Sequence, residues 1–144
     1  MVDVVTETVI DRPIAEVAAY AADPDNAPEW YDNIDSVEWK TEPPLAAGSM
    51  VALVARFLGR RLEYTYEFVE LTPERVVMRT QQGPFPMETT YTWQSLSSSS
   101  TRMTLRNRGT PAGFSRVVAP AMAPARRRAN PKDLAQLKQL LEAR

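Results

Sequence analysis

The stretch "RRLEYTYEFVEL", residues 60–71, alternates with a period of two. Leu62, Tyr64, Tyr66 and Phe68 fall on one face, and Arg61, Glu63, Thr65 and Glu67 on the other. That is the pattern of a strand with one buried face, and here the buried face carries two tyrosines. A closed core favours Leu, Ile and Val, because a buried phenol must find a partner for its hydroxyl. Two inward tyrosines therefore point to an interior that is incompletely packed or partly wet.

Strand-like segments surround this one at regular spacing: "SMVALVARFL" before it, then "RVVMRT", "FPMETTYTWQSL" and "TRMTLRNRG" after it, joined by short polar turns such as "GRR", "TPE" and "SSSS". Five such strands in succession read as an antiparallel meander. Upstream, "MVDVVTETVI" is a first strand, followed by a short helix in "PIAEVAAYAAD" with Pro13 at its first turn and a second short helical stretch in "DPDNAPEWYDNI". "SVEWKTEPPL" is a short second strand broken by Pro43 and Pro44. Downstream, residues 110–144 are helical in character. Val118, Met122, Ala125 and Ala129 mark one apolar stripe, and Leu134, Leu137, Leu140 and Leu141 mark a second that is out of phase with it. "NPKD" then predicts a bend or restart, with Asn130 as N-cap, Pro131 as first helical residue and Asp133 as first-turn acid. The leucine half should clamp the sheet, and the alanine-rich half should roof the interior as a movable lid.

Composition narrows the chemistry. The chain has 144 residues, 44% hydrophobic and 24% charged, an ordinary globular mixture sized for one domain, residues 1–144. It contains neither Cys nor His, so disulfides, thiolate nucleophiles, the Ser-His-Asp triad and most transition-metal sites are excluded. No apolar run approaches the roughly 18 residues of a membrane span, and Met1 leads into a strand pattern instead of a signal peptide, which suggests a cytoplasmic protein. Net charge is −1, but unevenly spread: residues 1–44 hold 2 Lys+Arg against 11 Asp+Glu, and residues 114–144 hold 7 against 2. "ARRRAN" lacks the interleaved aromatics of a nucleic-acid site, and Arg126 to Arg128 span too much of a helical turn to share a face, so they read as solvated surface. Arg56, Arg60, Glu63 and Glu88 are candidates for catalysis by residue type alone, and alternation sends Glu63 and Glu88 outward. No cofactor or metal motif is present, and neither nucleic acid nor a membrane span is expected.

The segments "IDRPIAEV" (10–17), "DPDNAPEW" (23–30) and "DLAQLKQLLE" (133–142), in this order, resemble the polyketide cyclase/dehydrase-like branch of the START/Bet v 1 superfamily. The resemblance covers nearly the whole chain and implies an α+β helix-grip fold. In that fold a curved seven-stranded antiparallel sheet surrounds a long C-terminal helix, two short helices follow the first strand, and a cavity lies between sheet and helix. Combined with the alternation, it places Tyr64, Tyr66, Phe68, Met78, Met87, Tyr91, Trp93 and Met103 against the cavity. It also places Trp30 and Tyr31 at the mouth, Phe85 on a neighbouring loop and Met122 on the helix. The function it implies is binding or carriage of a small hydrophobic molecule, aromatic or lipid-like; the alternative is a cyclase or dehydratase acting in the same space.

Overall fold

The computed structural model describes residues 2–57, 59–82, 86–109 and 122–144. Strand β1 (Val2–Ile10) leads into helix α1 (Ile14–Ala22), which starts immediately after Pro13. A single 3-10 turn at Pro24–Asn26, capped by the Asp23 side chain accepting the Asp25 amide, delivers helix α2 (Ala27–Trp30). Strands β2 (Ile34–Trp39), β3 (Met50–Phe57), β4 (Arg60–Leu71), β5 (Arg75–Gln82), β6 (Met87–Ser97) and β7 (Ser100–Gly109) follow in succession. Helix α3 (Met122–Glu142) ends the chain. All neighbours in the sheet are antiparallel, in the order β1-β7-β6-β5-β4-β3-β2, so the meander of β2 to β7 gains β1 at its far edge. This is the seven-stranded helix-grip architecture.

Local chemistry sets the joints. Gly59 takes φ +78° in the β3–β4 turn, where a residue with a Cβ is strained. β2 stops at Trp39, ahead of Pro43 and Pro44. Between β4 and β5 the register slips twice. Phe68 faces Met78 but Glu70 faces Val77, which leaves Val69 as an extra residue on β4. The bulge reverses the parity of alternation beyond it, so that Phe68 and Leu71 both reach the main core. The order Leu62, Tyr64, Tyr66, Phe68 is untouched, because this bulge lies beyond it.

Helix α3 departs from expectation. It is continuous through Pro131, and Asn130 is an interior helical residue, not a cap. Its buried residues form one stripe of Arg126, Asn130, Asp133, Leu134, Leu137 and Leu141 at steps of three and four. The two stripes inferred from apolar residues alone arose because the upper half of the buried face is polar. Ala125 and Ala129 flank it, half-buried. The lower half packs its leucines into the core with Ile10, Val17, Trp30 and Phe68. Its end is pinned to β1: Lys138 Nζ donates to the Val9 carbonyl at 2.7 Å, and the Asp11 amide donates to Glu142 Oε2 at 2.8 Å.

Asp133 is the exceptional member of the stripe. It is almost fully buried, its Oδ1 accepts the Asp32 amide at 3.2 Å, and its Oδ2 has no partner. Burial pushes its carboxyl up from 3.8 to about 6, with the Asp32 amide and nearby Arg126 opposing the rise. Among the described residues, no helix is long and apolar enough to cross a membrane.

Two predictions follow from this packing. Leu137→Ala removes a fully buried side chain and should cost about 2–5 kcal/mol in urea unfolding, whereas the exposed Gln136→Ala should stay within about 0.5 kcal/mol. A raised acid favours the folded state only while protonated. Its stabilisation is complete below the ordinary carboxyl value near 3.8 and is lost as pH rises through about 6. Asp133→Asn should therefore melt close to the parent at pH 4 and clearly above it at pH 7.5, by on the order of 2 kcal/mol. Melting curves at both pH values check this, and a constant gap would contradict it.

Candidate functional site

The inward alternation of β4 and its neighbours does not close into a solid core. Between the concave sheet and the upper half of α3 lies a cavity of about 100 Å³. That is several times the roughly 10–15 Å³ one ordered water needs. Its apolar wall comes from Val51 and Leu53 on β3, Phe68 on β4, Met78 on β5 and Met87 on β6, with Ala21 and Pro24 at the end bounded by α1. Half-exposed Asp23, Asn33 and Ile34 also contribute there.

Four tyrosines share this space: Tyr31 from the end of α2, Tyr64 and Tyr66 from β4, and Tyr91 from β6. Cross-strand register aligns Tyr64 with Leu53 and Tyr66 with Val51, and the two rings lie 6.0 Å apart. Tyr31 and Tyr91 satisfy one another, their hydroxyls 2.6 Å apart in a buried hydrogen bond. Burial raises the titration of all four phenols above its ordinary range. For Tyr66 the Thr89 hydroxyl and Arg126 partly offset that rise. The phenols are therefore neutral at physiological pH and act as hydrogen-bonding groups, not as bases.

The cavity also receives Arg126 from α3, Thr89 from β6 and Asn107 from β7. Thr89 Oγ1 donates to Asn107 Oδ1 at 3.2 Å, while Asn107 Nδ2 and Arg126 Nε are buried without partners. Arg126 is only 7% exposed, in contrast to Arg127 and Arg128, which are exposed as expected. The expectation of a wholly solvated arginine run thus fails for Arg126, because counting polar as well as apolar residues puts it in phase with Asn130, Leu134, Leu137 and Leu141. Asn107 was signalled too: on β7 it continues the inward series Met103, Leu105, Asn107.

Of the residues expected at the cavity, Tyr31, Tyr64, Tyr66, Phe68, Met78, Met87 and Tyr91 line it. Trp30, Trp93 and Met103 do not. They are buried in the core, with exposures of 1%, 4% and 0%. Trp30 stacks behind Tyr31 at 4.1 Å and Tyr91 at 5.7 Å, and Trp93 meets Tyr91 edge-on at 6.1 Å, so both indoles back the phenol pair. Alternation identifies the inward face of a strand but not whether a side chain reaches open space or a neighbour. Phe85 and the Met122 side chain lie outside the described residues.

The residues considered for catalysis by type sit elsewhere. Arg56 pairs with Asp35, Glu63 with Arg61 and Glu88 with Arg79, and Arg60 is exposed. Among the described residues, no cluster of three or more acidic side chains could hold a metal ion.

The same architecture recurs in solved structures. A Thermus thermophilus protein superposes with a TM-score of 0.81 at 20% identity, over 98% of this chain and 97% of that one. The ZhuI aromatase/cyclase from Streptomyces gives 0.83 at 17% identity, over 99% and 94%. A START superfamily protein from Mycobacterium smegmatis gives 0.82 at 14% identity, over 98% and 97%. At such identities these likenesses establish the fold alone. Among curated proteins no sequence matches this chain. The family described as "Polyketide cyclase / dehydrase and lipid transport" matches residues 1–142, from the first strand to the end of α3, and the chain belongs to that family.

Proposed function

We propose that this protein binds and carries a small hydrophobic molecule in the cavity between its sheet and α3. The observation that carries this reading is the lining itself: aliphatic, Phe and Met side chains beside neutral phenols. The only carboxylate among the described lining residues is the half-exposed Asp23. Such a wall holds a ligand chiefly by removing apolar area from water, at roughly 25 cal/mol per Å². The tyrosine hydroxyls fix its orientation. At about 100 Å³ the space is smaller than the roughly 300–1,000 Å³ of pockets for drug-sized molecules, which favours a compact or narrow occupant.

A second reading, a cyclase or dehydratase, is favoured by one feature. The Tyr31–Tyr91 pair and Arg126 line the same cavity and supply donors of the kind that polarise a carbonyl. Against it, the neutral phenols are poor bases, and Asp133, the acid raised toward neutrality, does not line the cavity. Burial and carriage require no base. Tyr91→Phe separates the two readings: a carrier should lose affinity only modestly, whereas an enzyme relying on that phenol should lose turnover by about 10² or more.

Native mass spectrometry of freshly purified protein should show a co-purified small molecule, and a hydrophobic fluorescent probe should titrate to one saturable site. Met87→Trp projects an indole into the cavity and should lower probe affinity at least tenfold while the fold survives. Trp93→Ala, in the core behind the wall, should instead cost about 3–5 kcal/mol of stability. Probe titrations and urea melts of the two variants check the assignment. Unchanged probe binding in Met87→Trp would remove the cavity as the site.

A further inference from the structure

The unpartnered polar atoms of the cavity are of one kind. Among the described lining residues, the buried side-chain nitrogens or oxygens without a hydrogen bond are Arg126 Nε and Asn107 Nδ2, and both are N–H donors. The cavity therefore presents donors that lack an acceptor. In addition, Arg126 carries a full charge. A buried guanidinium is costly unless it is paired, and native proteins normally supply a carboxylate.

Here the chain supplies none. All 18 Asp and Glu of the sequence lie among the described residues, and none forms an ion pair with Arg126. Asp133 is near enough to interact with it electrostatically but not to pair, and its Oδ1 is engaged by the Asp32 amide. Arg126 also acts on the phenols of Tyr31, Tyr64, Tyr66 and Tyr91, which are neutral.

We infer that the occupant of the cavity carries a carboxylate, which Arg126 binds with Asn107 while the apolar body lies against Val51, Phe68 and Met78. This rests on the reading that the cavity binds a hydrophobic molecule, and it specifies the class: an aromatic or aliphatic acid. One guanidinium matches one carboxylate in charge and in planar geometry. A phosphate monoester would bring nearly twice that charge into a wall that is otherwise apolar. An uncharged lipid would leave the arginine unpaired.

Three probes of closely similar shape test it: benzoic acid, benzamide and benzyl alcohol, compact enough for the cavity and titrated by calorimetry into the parent protein and into Arg126→Met and Arg126→Lys. The parent should bind the acid at least tenfold more tightly than the amide or the alcohol. Arg126→Met should bind all three about equally, and Arg126→Lys should keep part of the preference. Without ligand, Arg126→Met should melt at or above the parent, since an unpaired buried charge has gone. The acid should raise the melting temperature of the parent most, of Arg126→Lys less and of Arg126→Met least. Equal binding of acid and amide by the parent overturns the inference but leaves hydrophobic binding standing, and so does an acid preference that survives in Arg126→Met. If none of the probes binds the parent, the proposed function falls with it. Should Arg126→Met fail to fold, the acid-to-amide ratio in the parent and in Arg126→Lys still decides.

Discussion

The structure depends on how one face of α3 meets the concave face of the sheet. Leu134, Leu137 and Leu141 are buried to 1% or less, and each such side chain contributes roughly 1.5–3 kcal/mol by leaving water. They close the lower part of the curved sheet, which would otherwise expose Ile10 and Phe68. Over the two turns above Leu134 the same stripe becomes Asp133, Asn130 and Arg126. There, among the described residues, the helix offers the sheet small or polar side chains in place of leucines: Ala125 packs against Val4, Ala55, Leu62 and Tyr64, and Arg126 lines the cavity. Clamp and cavity thus follow from one helical face whose chemistry changes along its length.

The sheet is adapted to the same change. Where it meets the leucines it offers fully buried aliphatic and aromatic groups such as Val76 and Leu105. Where it meets the polar half of α3 it offers phenols, Thr89 and Asn107. A phenol costs little in such a place because its ring packs like Phe while its hydroxyl needs only one neighbour, and Tyr31 and Tyr91 are each other's neighbour. Behind them Trp30 and Trp93 fix the ring positions. The cavity wall is therefore held by a second layer of rigid side chains, which favours a site of defined shape over a soft void.

Much of this was legible from residue spacing. The alternation of residues 62–68 puts Tyr64, Tyr66 and Phe68 on the face that lines the cavity, because the bulge at Val69 lies beyond them. Tyr91, Met78 and Met87 were reached by the same rule on β6 and β5. Depth was not legible: Trp93 and Met103 share the inward face with Tyr91, yet the three-dimensional neighbours that decide whether a side chain meets open space come from α1 and α2. Arg126 was missed for another reason. A stripe sought only among apolar residues breaks at "NPKD", and Pro131 then looks like a restart. Pro131 lies on an exposed side of a continuous helix and forfeits one backbone hydrogen bond, a loss the buried stripe on either side of it absorbs.

The charged residues complete the logic of the fold. On the outer face of the sheet, Asp3 meets Arg106 and Glu88 meets Arg79 at 2.8 and 2.7 Å, with water at hand to screen them. Such pairs contribute little stability and keep the sheet soluble. Inside, Arg126 and Asp133 bracket Asn130 on one helical face, close enough to influence one another yet unpaired. A chain selected for stability alone would join them or replace both with apolar residues. Keeping them apart, with the arginine at the cavity and the aspartate behind it, leaves the guanidinium beside the phenols with no acidic side chain of the chain paired to it.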